Sequence, residues 1–285
     1  MRFSNARIDA FIEEDVPYID LTCEVLGINN QPGEMEYFTR ESCVLAGTDI
    51  ARRIMRNLDC EVLTSSKDGQ LVSAGQTFFT VRGAAADLHA AWKVCLNVFD
   101  HLSAVAAKTR SMVDEVHAVN PECEVLTTRK SMPGAKDLLT CAVMAGGAFP
   151  HRLGLSETVL VFEQHLSFFG GFNRFVEELP RIKAWCVEKK LFVEADAQRA
   201  IALARASSDG HGVDGIQVDK VPVSELAELV RRIREIDPRI TIIAAGGINP
   251  QNAGAYAACG VDGLATTAPF TAKPVDMSVR MRPLE

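Results

Sequence analysis

Three things are missing from this 285-residue chain, and each closes off a class of protein. No apolar run approaches the ~18 residues that a membrane-spanning helix needs, and no signal-peptide pattern opens the chain. There is no basic surplus: 30 Lys and Arg stand against 37 Asp and Glu, for a net charge of −7. That balance argues against a nucleic-acid binder, and it leaves room for a local basic pocket around a small anion. Nor is there a C-x-x-C pair among the eight cysteines, and the six histidines are dispersed. Neither a disulfide framework nor a zinc site is indicated, so the thiols read as reduced and mostly buried. What is present, 47% hydrophobic and 24% charged residues, suits a large core and two domains. The expectation is a cytoplasmic α/β protein with a small-molecule task.

The grammar changes once along the chain. Up to about residue 110 the spacing predicts helices over 5–14, 49–58 and 84–118, with an extended connection over 15–22. Strands are predicted within 35–45, at 61–64 and at 78–82, with Asp68 and Gly69 as the turn signal of an antiparallel piece. After Pro121, six short β-rich runs recur: 124–128, 158–162, 191–194, 215–218, 239–244 and 263–266. Helical patterns at 172–188, 197–206, 223–236 and 251–259 separate the later ones. Such alternation predicts a parallel sheet closed or part-closed into a barrel of about six strands. An open doubly wound sheet is the alternative, although no Gly-rich dinucleotide loop follows its first strand.

Reactive groups of parallel barrels sit where strands end. The first run ends in Arg129 and Lys130, and after one helix-like segment comes a second basic pair, His151 and Arg152. Arg offers a planar fork to carboxylate or phosphate and Lys a compact charge, so two such pairs can hold two anionic groups. The other ends supply Glu163, Gln164 and His165, then Glu194 and Asp196, then Asp219 and Lys220. Gly246 and Gly247 follow the fifth run, and Thr266 and Thr267 end the sixth. The glycine turn, ahead of a helix, suits a phosphate. Glu194 and Asp219 read either as ion-pair partners of Arg129, Lys130 or Lys220, or as groups that hold ribose hydroxyls or a hydrated magnesium ion. The whole fits a phosphorylated sugar meeting an anionic acceptor.

The segment TTRKSMPGAKDLLTCAVMAGGAFPHRLGL, beginning at Thr127, resembles the T-R-K-T-x-P-G-x-R…G-G…H-R-x-G-L signature of the quinolinate phosphoribosyltransferases, the nicotinate-nucleotide pyrophosphorylases. The N-terminal DVPYIDLTCEVLG, the Asn97 to Ser103 helix, and Glu194, Asp219 and Gly246-Gly247-Ile248 are similar to further motifs of that family. VFEQH at 161–165, with HRLGLSET and TAPFTAKPVDM, is similar to one subgroup, the ModD pyrophosphorylases, associated with molybdenum transport genes. The resemblance implies a type II phosphoribosyltransferase-like fold. Its N-terminal α/β sandwich would span 1–110, joined by the tail 268–285, and its incomplete barrel 111–267. It also implies a homodimer or higher oligomer with a shared site, and chemistry on 5-phosphoribosyl-1-pyrophosphate with magnesium. Glu194 and Asp219 would then serve ribose and Mg2+, with Lys130 beside them. Gly246, Gly247 and Thr267 would serve the 5-phosphate, and Arg129, Lys130, His151 and Arg152 the acceptor carboxylates and pyrophosphate.

Departures from the family pattern point to a different acceptor. Phe162 stands where the family has an acceptor-binding Lys. Lys93 falls where the family contributes an Arg across the dimer, keeping the charge and losing the bidentate fork. Ala245 and Lys220 replace a Ser and an Asn. Losing one charge-assisted contact, at roughly 1.5–3 kcal/mol, and weakening another could cost a dicarboxylate ~10²-fold in affinity. Quinolinate is therefore expected to be a poor substrate. Two other readings of the mouth stay open: a binding protein for a phosphorylated ligand or oxyanion, and a Schiff-base enzyme using Lys130 or Lys220.

Overall fold

The computed structural model describes residues 2–285, which fall into two compact units. The first comprises the chain up to Arg110, with Met132–Gly147 and Pro269–Glu285. The second comprises Ser111–Ser131 and Ala148–Ala268. The sequence reading assigned 132–147 to the barrel span; contacts group it with the first unit. The Arg7 side chain reaches Asp137 at 3.2 Å, and a Cβ on Gly146 would strike Thr109 at 2.5 Å, so little space separates this segment from the N-terminal helices.

In the first unit, strands β1 (Pro32–Thr39), β2 (Cys43–Val44), β3 (Glu61–Ser65), β4 (Leu71–Val72) and β5 (Thr77–Ala84) precede the long helix Ala85–His117. The main sheet is antiparallel, with the C-terminal strand Met277–Pro283 on one edge, then β1, β5 and β3. The Asp68-Gly69 turn does not close a β3–β5 hairpin. Gly69 donates to Leu45 O and Asp68 accepts from Thr48 N, which diverts the chain so that β4 pairs with β2. The extended connection gives way at Asp20, whose carboxylate accepts from Thr22 N and Cys23 N and starts a helix over Leu21–Leu26 that the sequence did not announce. One face of the sheet carries Tyr37 and Phe79, and Phe99 of the long helix meets Tyr37 edge-on at 5.3 Å. Burying such rings contributes roughly 1.5–3 kcal/mol each. Burial also pushes the Cys60 thiol up to about 12, which leaves it inert.

The second unit carries the parallel sheet: β6 (Glu124–Thr127), β7 (Phe149–Pro150), β8 (Val159–Val161), β9 (Leu191–Ala195), β10 (Gly215–Asp219), β11 (Thr241–Ala245) and β12 (Gly263–Thr266). Their order is β7-β6-β12-β11-β10-β9-β8, and every pairing is parallel. The sheet curls but stays open between β7 and β8, so it is an incomplete barrel, and its architecture is the expected one. The two-residue β7 was missed because a strand so short, ending in Pro150, leaves no periodic trace; at an edge the missing proline N–H is harmless. The C-terminal tail Met277–Pro283 is β13. The helix expected over 172–188 is divided into two, Phe172–Glu177 and Leu179–Trp185, and a further helix that was not expected, Glu163–Phe169, precedes it. Gly170 and Gly171, at φ of 100° and 93°, break Glu163–Phe169 from Phe172–Glu177. Inward positions of the barrel form an apolar layer of Leu160, Phe192, Ile243 and Ala265, with Leu126 and Phe162 packed against it. Above that layer the inward side chains become polar, and this is where the site lies.

Candidate active site

A cavity of about 560 Å³ opens at the C-terminal ends of the barrel strands. Its walls hold every residue given a ligand role by the resemblance except Lys93; of the other strand-end candidates, Gln164, Lys220 and Thr266 line it, and Glu163, His165 and Asp196 do not. Arg129, Lys130, His151 and Arg152 reach it from the ends of β6 and β7, so the two basic pairs do converge. Glu194 and Asp219 enter from β9 and β10, Gly246 and Gly247 from the end of β11, and Thr267 from beyond β12. Lys93 lies in the first unit, exposed, with its ammonium 4.5 Å from the Trp92 ring centroid. It does not line this cavity.

Each wall is shaped by the strand alternation. On β9, Phe192 and Glu194 share the inner face, while Leu191 and Val193 turn to the helices. On β10 the inward residues are Gln217 and Asp219. Gln217 was not anticipated: it is 6% exposed, sits opposite Glu194 in the register, and its amide donates to Glu194 Oε2 at 2.6 Å. The signal was available as one amide in the otherwise apolar run Gly215–Val218, since parallel strands buried on both faces carry few polar residues.

Burial pushes the Glu194 carboxyl above its usual range; Gln217 and the cations Lys130 and Lys220 oppose that, and Asp219 adds to it. The ion-pair reading of the two acids fails for Glu194, whose bonded partner is the Gln217 amide. For Asp219 it is weak: Lys220 Nζ stands 3.9 Å away on a side chain that is 80% exposed. Arg152 is buried and makes no direct ion pair among the described residues; the Glu157 carboxylate acts on it from farther off, and its guanidinium carbon lies 5.7 Å from the Phe162 ring centroid. Burial first, and the Arg129 charge second, push Arg152 down. His151 is held below its usual range by burial and by Arg152, so it favours the neutral form. The Glu157 charge opposes the burial cost of Arg152 without a direct contact, and an anionic ligand at the guanidinium would offset what remains.

Two loops set the rim. Phe162 N donates to His165 Nδ1 at 3.0 Å, and the two rings stack at 5.8 Å with 25° between planes. An apolar ring therefore occupies the wall between Arg152 and the chain end of β8. Opposite, Gly246 has a φ of 92°, and a Cβ there would meet Lys220 Cγ at 2.5 Å and Asp219 Oδ1 at 2.8 Å. Glycine lets the turn ride directly over the end of β10. Lys220 itself adopts φ 56°, a strained backbone for a residue with a Cβ. The helix expected immediately after this turn is short and late, Ala253–Ala257, so any donors to a phosphate come from the turn itself. Thr266 is structural: its hydroxyl donates to Ile248 O at 2.7 Å and pins the turn. Asp196 caps the helix Ala197–Ser207, and Glu163 pairs with Arg199, so neither belongs to the ligand wall.

Four cations, Arg129, Lys130, Arg152 and Lys220, thus face two carboxylates in one cavity. The two carboxylates suit magnesium, which keeps several waters and takes its remaining ligands from substrate phosphates rather than from a protein cage. Among the described residues, the group of three metal-capable side chains that meet is elsewhere, at Asp20, Cys23 and His89 of the first unit. There the Asp20 carboxylate is engaged as a helix cap and as acceptor for the Cys23 thiol.

A parallel half-barrel with an N-terminal sheet unit and this polar mouth defines a type II phosphoribosyltransferase fold. NadC from Streptococcus pyogenes superposes with a TM-score of 0.88 over 100% of both chains at 22% identity. The nicotinate-nucleotide pyrophosphorylase of Francisella tularensis gives 0.85 over 99% of this chain and 98% of that one, at 25% identity. Residues 105–280 match the model of the quinolinate phosphoribosyl transferase C-terminal domain, and residues 20–103 that of its N-terminal domain. The ModD protein of Pasteurella multocida is 34% identical over 277 residues, covering 97% of both chains. That of Rhodobacter capsulatus is 37% identical over 245 residues, 86% of this chain and 92% of the relative. The chain belongs to the quinolinate phosphoribosyltransferase family and is a pentosyltransferase of the pyrophosphorylase type. No helix among the described residues is long and apolar enough to cross a membrane.

Proposed function

We propose that the chain transfers the phosphoribosyl group of 5-phosphoribosyl-1-pyrophosphate to a nitrogen of a small, carboxylated aromatic acceptor other than quinolinate. The observation that carries this reading is the pairing of Glu194 and Asp219 in one cavity with Arg129, Lys130 and Arg152. Binding an anion alone gains nothing from two carboxylates; a sugar carbon that becomes positive does.

In this reading the acceptor nitrogen donates its lone pair to the anomeric carbon. The bond from that carbon to pyrophosphate oxygen breaks, and its electron pair leaves with the pyrophosphate. Glu194 and Asp219 hold the ribose hydroxyls and offset the positive charge that grows between the two events. Both would also hold a hydrated magnesium ion, which when bound neutralises phosphate charge. Gly246, Gly247 and Thr267 take the 5-phosphate, and Arg129, Lys130, His151 and Arg152 take pyrophosphate and one acceptor carboxylate. Phe162 offers an apolar face to the acceptor ring where a second carboxylate would find no cation. The active form is a homodimer in which the partner subunit's Lys93 completes the anion site. No side chain need form a covalent bond, because positioning and charge stabilisation carry such a reaction.

Calorimetry with 5-phosphoribosyl-1-pyrophosphate and magnesium tests the reading. Micromolar binding that disappears in both Glu194→Ala and Asp219→Ala is expected. Absence of binding at millimolar donor, with or without nicotinate present, would sink it. A parallel titration with molybdate asks whether the same cations accept that oxyanion.

A further inference from the structure

Three side chains of the first unit meet away from the barrel mouth, and the transfer chemistry uses none of them. Asp20, Cys23 and His89 bring a carboxylate oxygen, a thiol sulfur and an imidazole nitrogen within 4.8 Å of one another. No spacing pattern in the chain announces this group, because His89 comes from a different element. Two backbone bonds bring it close: Ala85 N donates to Gln31 O at 2.8 Å, and Ala86 N to Asn29 O at 3.2 Å. They fasten the loop behind the helix Leu21–Leu26 to the start of the long helix, one turn before His89. We propose that Asp20, Cys23 and His89 form a binding site for one zinc ion.

Each donor is prepared for that task. Both backbone bonds that Asp20 accepts as a helix cap, from Thr22 N and Cys23 N, fall on Oδ1, which leaves Oδ2 for another partner. Nδ1 of His89 lies 2.6 Å from Ala85 O; a carbonyl only accepts, so Nδ1 carries the proton. The lone pair of the neutral ring therefore sits on Nε2. An imidazole that binds a metal through one nitrogen usually donates from the other in this way, which fixes its orientation. Cys23 is 1% exposed, and its thiol donates to the Asp20 carboxylate. Binding replaces the S–H bond by an S–Zn bond and releases the proton to solvent, with nothing oxidised or reduced.

Donor chemistry selects the ion. A thiolate and an imidazole suit zinc, whereas magnesium and calcium take oxygen. Zinc bonds of roughly 2.0–2.3 Å at tetrahedral angles set donor atoms ~3.3–3.8 Å apart, so small side-chain rotations close the group. Thiolate and carboxylate together balance the two positive charges of the ion. The positive end of the helix Leu21–Leu26 opposes a cation, an effect far smaller than a thiolate–zinc bond. Asp20 and His89 are half-buried, which leaves the fourth position to water. The ion clasps the helix Leu21–Leu26 to the long helix.

The metal-stripped full-length protein is titrated with Co2+, a spectroscopic substitute for zinc. One equivalent is expected to raise a near-ultraviolet thiolate-to-cobalt charge-transfer band, and added zinc should bleach it. Oxygen ligands such as Glu194 and Asp219 give no such band, so magnesium binding at the barrel mouth is read separately. The band should be lost in Cys23→Ser, and cobalt affinity should fall at least ~10-fold in His89→Gln, with far-ultraviolet circular dichroism unchanged in both. At a hundredfold excess over its Kd, zinc should raise the melting temperature of the parent by at least about 3 °C and of Cys23→Ser by less than about 1 °C. Should Cys23→Ser fail to fold, His89→Gln carries the same comparison. No band at one equivalent in the parent overturns the proposal. A band of parent strength and affinity in the variants places cobalt on other thiols and overturns it too.

Discussion

The guanidinium carbon of Arg152 lies 5.7 Å from the centroid of the Phe162 ring, and Arg152 is buried with no carboxylate in direct ion-pair contact. In the proposed transfer reading, this cation against an aromatic face takes an anion, and the ring would decide which anion fits. A ligand with one carboxylate can reach the guanidinium and lay its ring near Phe162. A second carboxylate would be pressed against carbon.

Replacing that ring by a cation should therefore widen the acceptor range. Phe162→Lys is expected to tighten quinolinate binding ~10-fold, the worth of one charge-assisted contact discounted for repulsion from Arg152. Calorimetry with quinolinate and with nicotinate reads it. If quinolinate affinity does not change, Phe162 does not set acceptor choice.

His151 should make anion binding respond to pH. Its folded pKa lies below the unfolded value because of burial and Arg152. The neutral ring therefore contributes stability above about pH 6.5, and that contribution is lost as pH falls through the folded value. A bound anion reverses the local balance and raises the pKa, so binding takes up a proton and strengthens as pH drops from about 7 to about 5.5. Titrating pyrophosphate in two buffers of different protonation enthalpy should reveal proton uptake, and His151→Gln should abolish it.

Lys220 combines a strained backbone with a rim charge, and the two can be separated. Asn tolerates the left-handed region better, so Lys220→Asn should raise unfolding free energy by about 1 kcal/mol. The lost charge is mostly exposed, and pyrophosphate affinity should fall only about twofold to fivefold. Denaturant melts and calorimetry measure the two effects independently. A variant that is less stable than the parent would show that the φ of 56° carries no strain.

Deleting 277–283 should open the first unit's sheet. Seven residue pairs join β13 to β1, and Met277 is 4% exposed. The loss bares the β1 edge and part of the core, so a melting temperature lower by ~10 °C and growth of large particles are expected. Calorimetric melts and light scattering check both.

Much of the barrel could be read from the chain because its six main strands are β-rich runs that end in polar residues. Glu194, Asp219 and the pairs at Arg129 and His151 stood out because each follows an apolar stretch. Gln217 was passed over because it lies inside such a stretch rather than at its end. The helix Leu21–Leu26 hid behind Pro17 and a sequence with no helical stripe; its cause is a single capping carboxylate at Asp20. The helix Glu163–Phe169 was passed over because it is only seven residues long, between β8 and the glycine pair, too short to show a helical stripe. The Asp68-Gly69 turn was recognised and its destination was not, since β4's partner depends on Leu45 and Thr48, some twenty residues earlier.

The pairing of β13 with β1 has a consequence for synthesis. Gly33 faces Pro283, so the first sheet strand made waits for the last one to leave the ribosome. The strands of the parallel sheet are contiguous in the chain from Glu124 to Thr266 and have all emerged by then. The second unit can therefore finish folding first, while β1 travels with an open edge through most of translation. That interval is when the nascent chain is most exposed to pairing with a neighbour, and when a chaperone covering residues 32–39 would have the largest effect on yield.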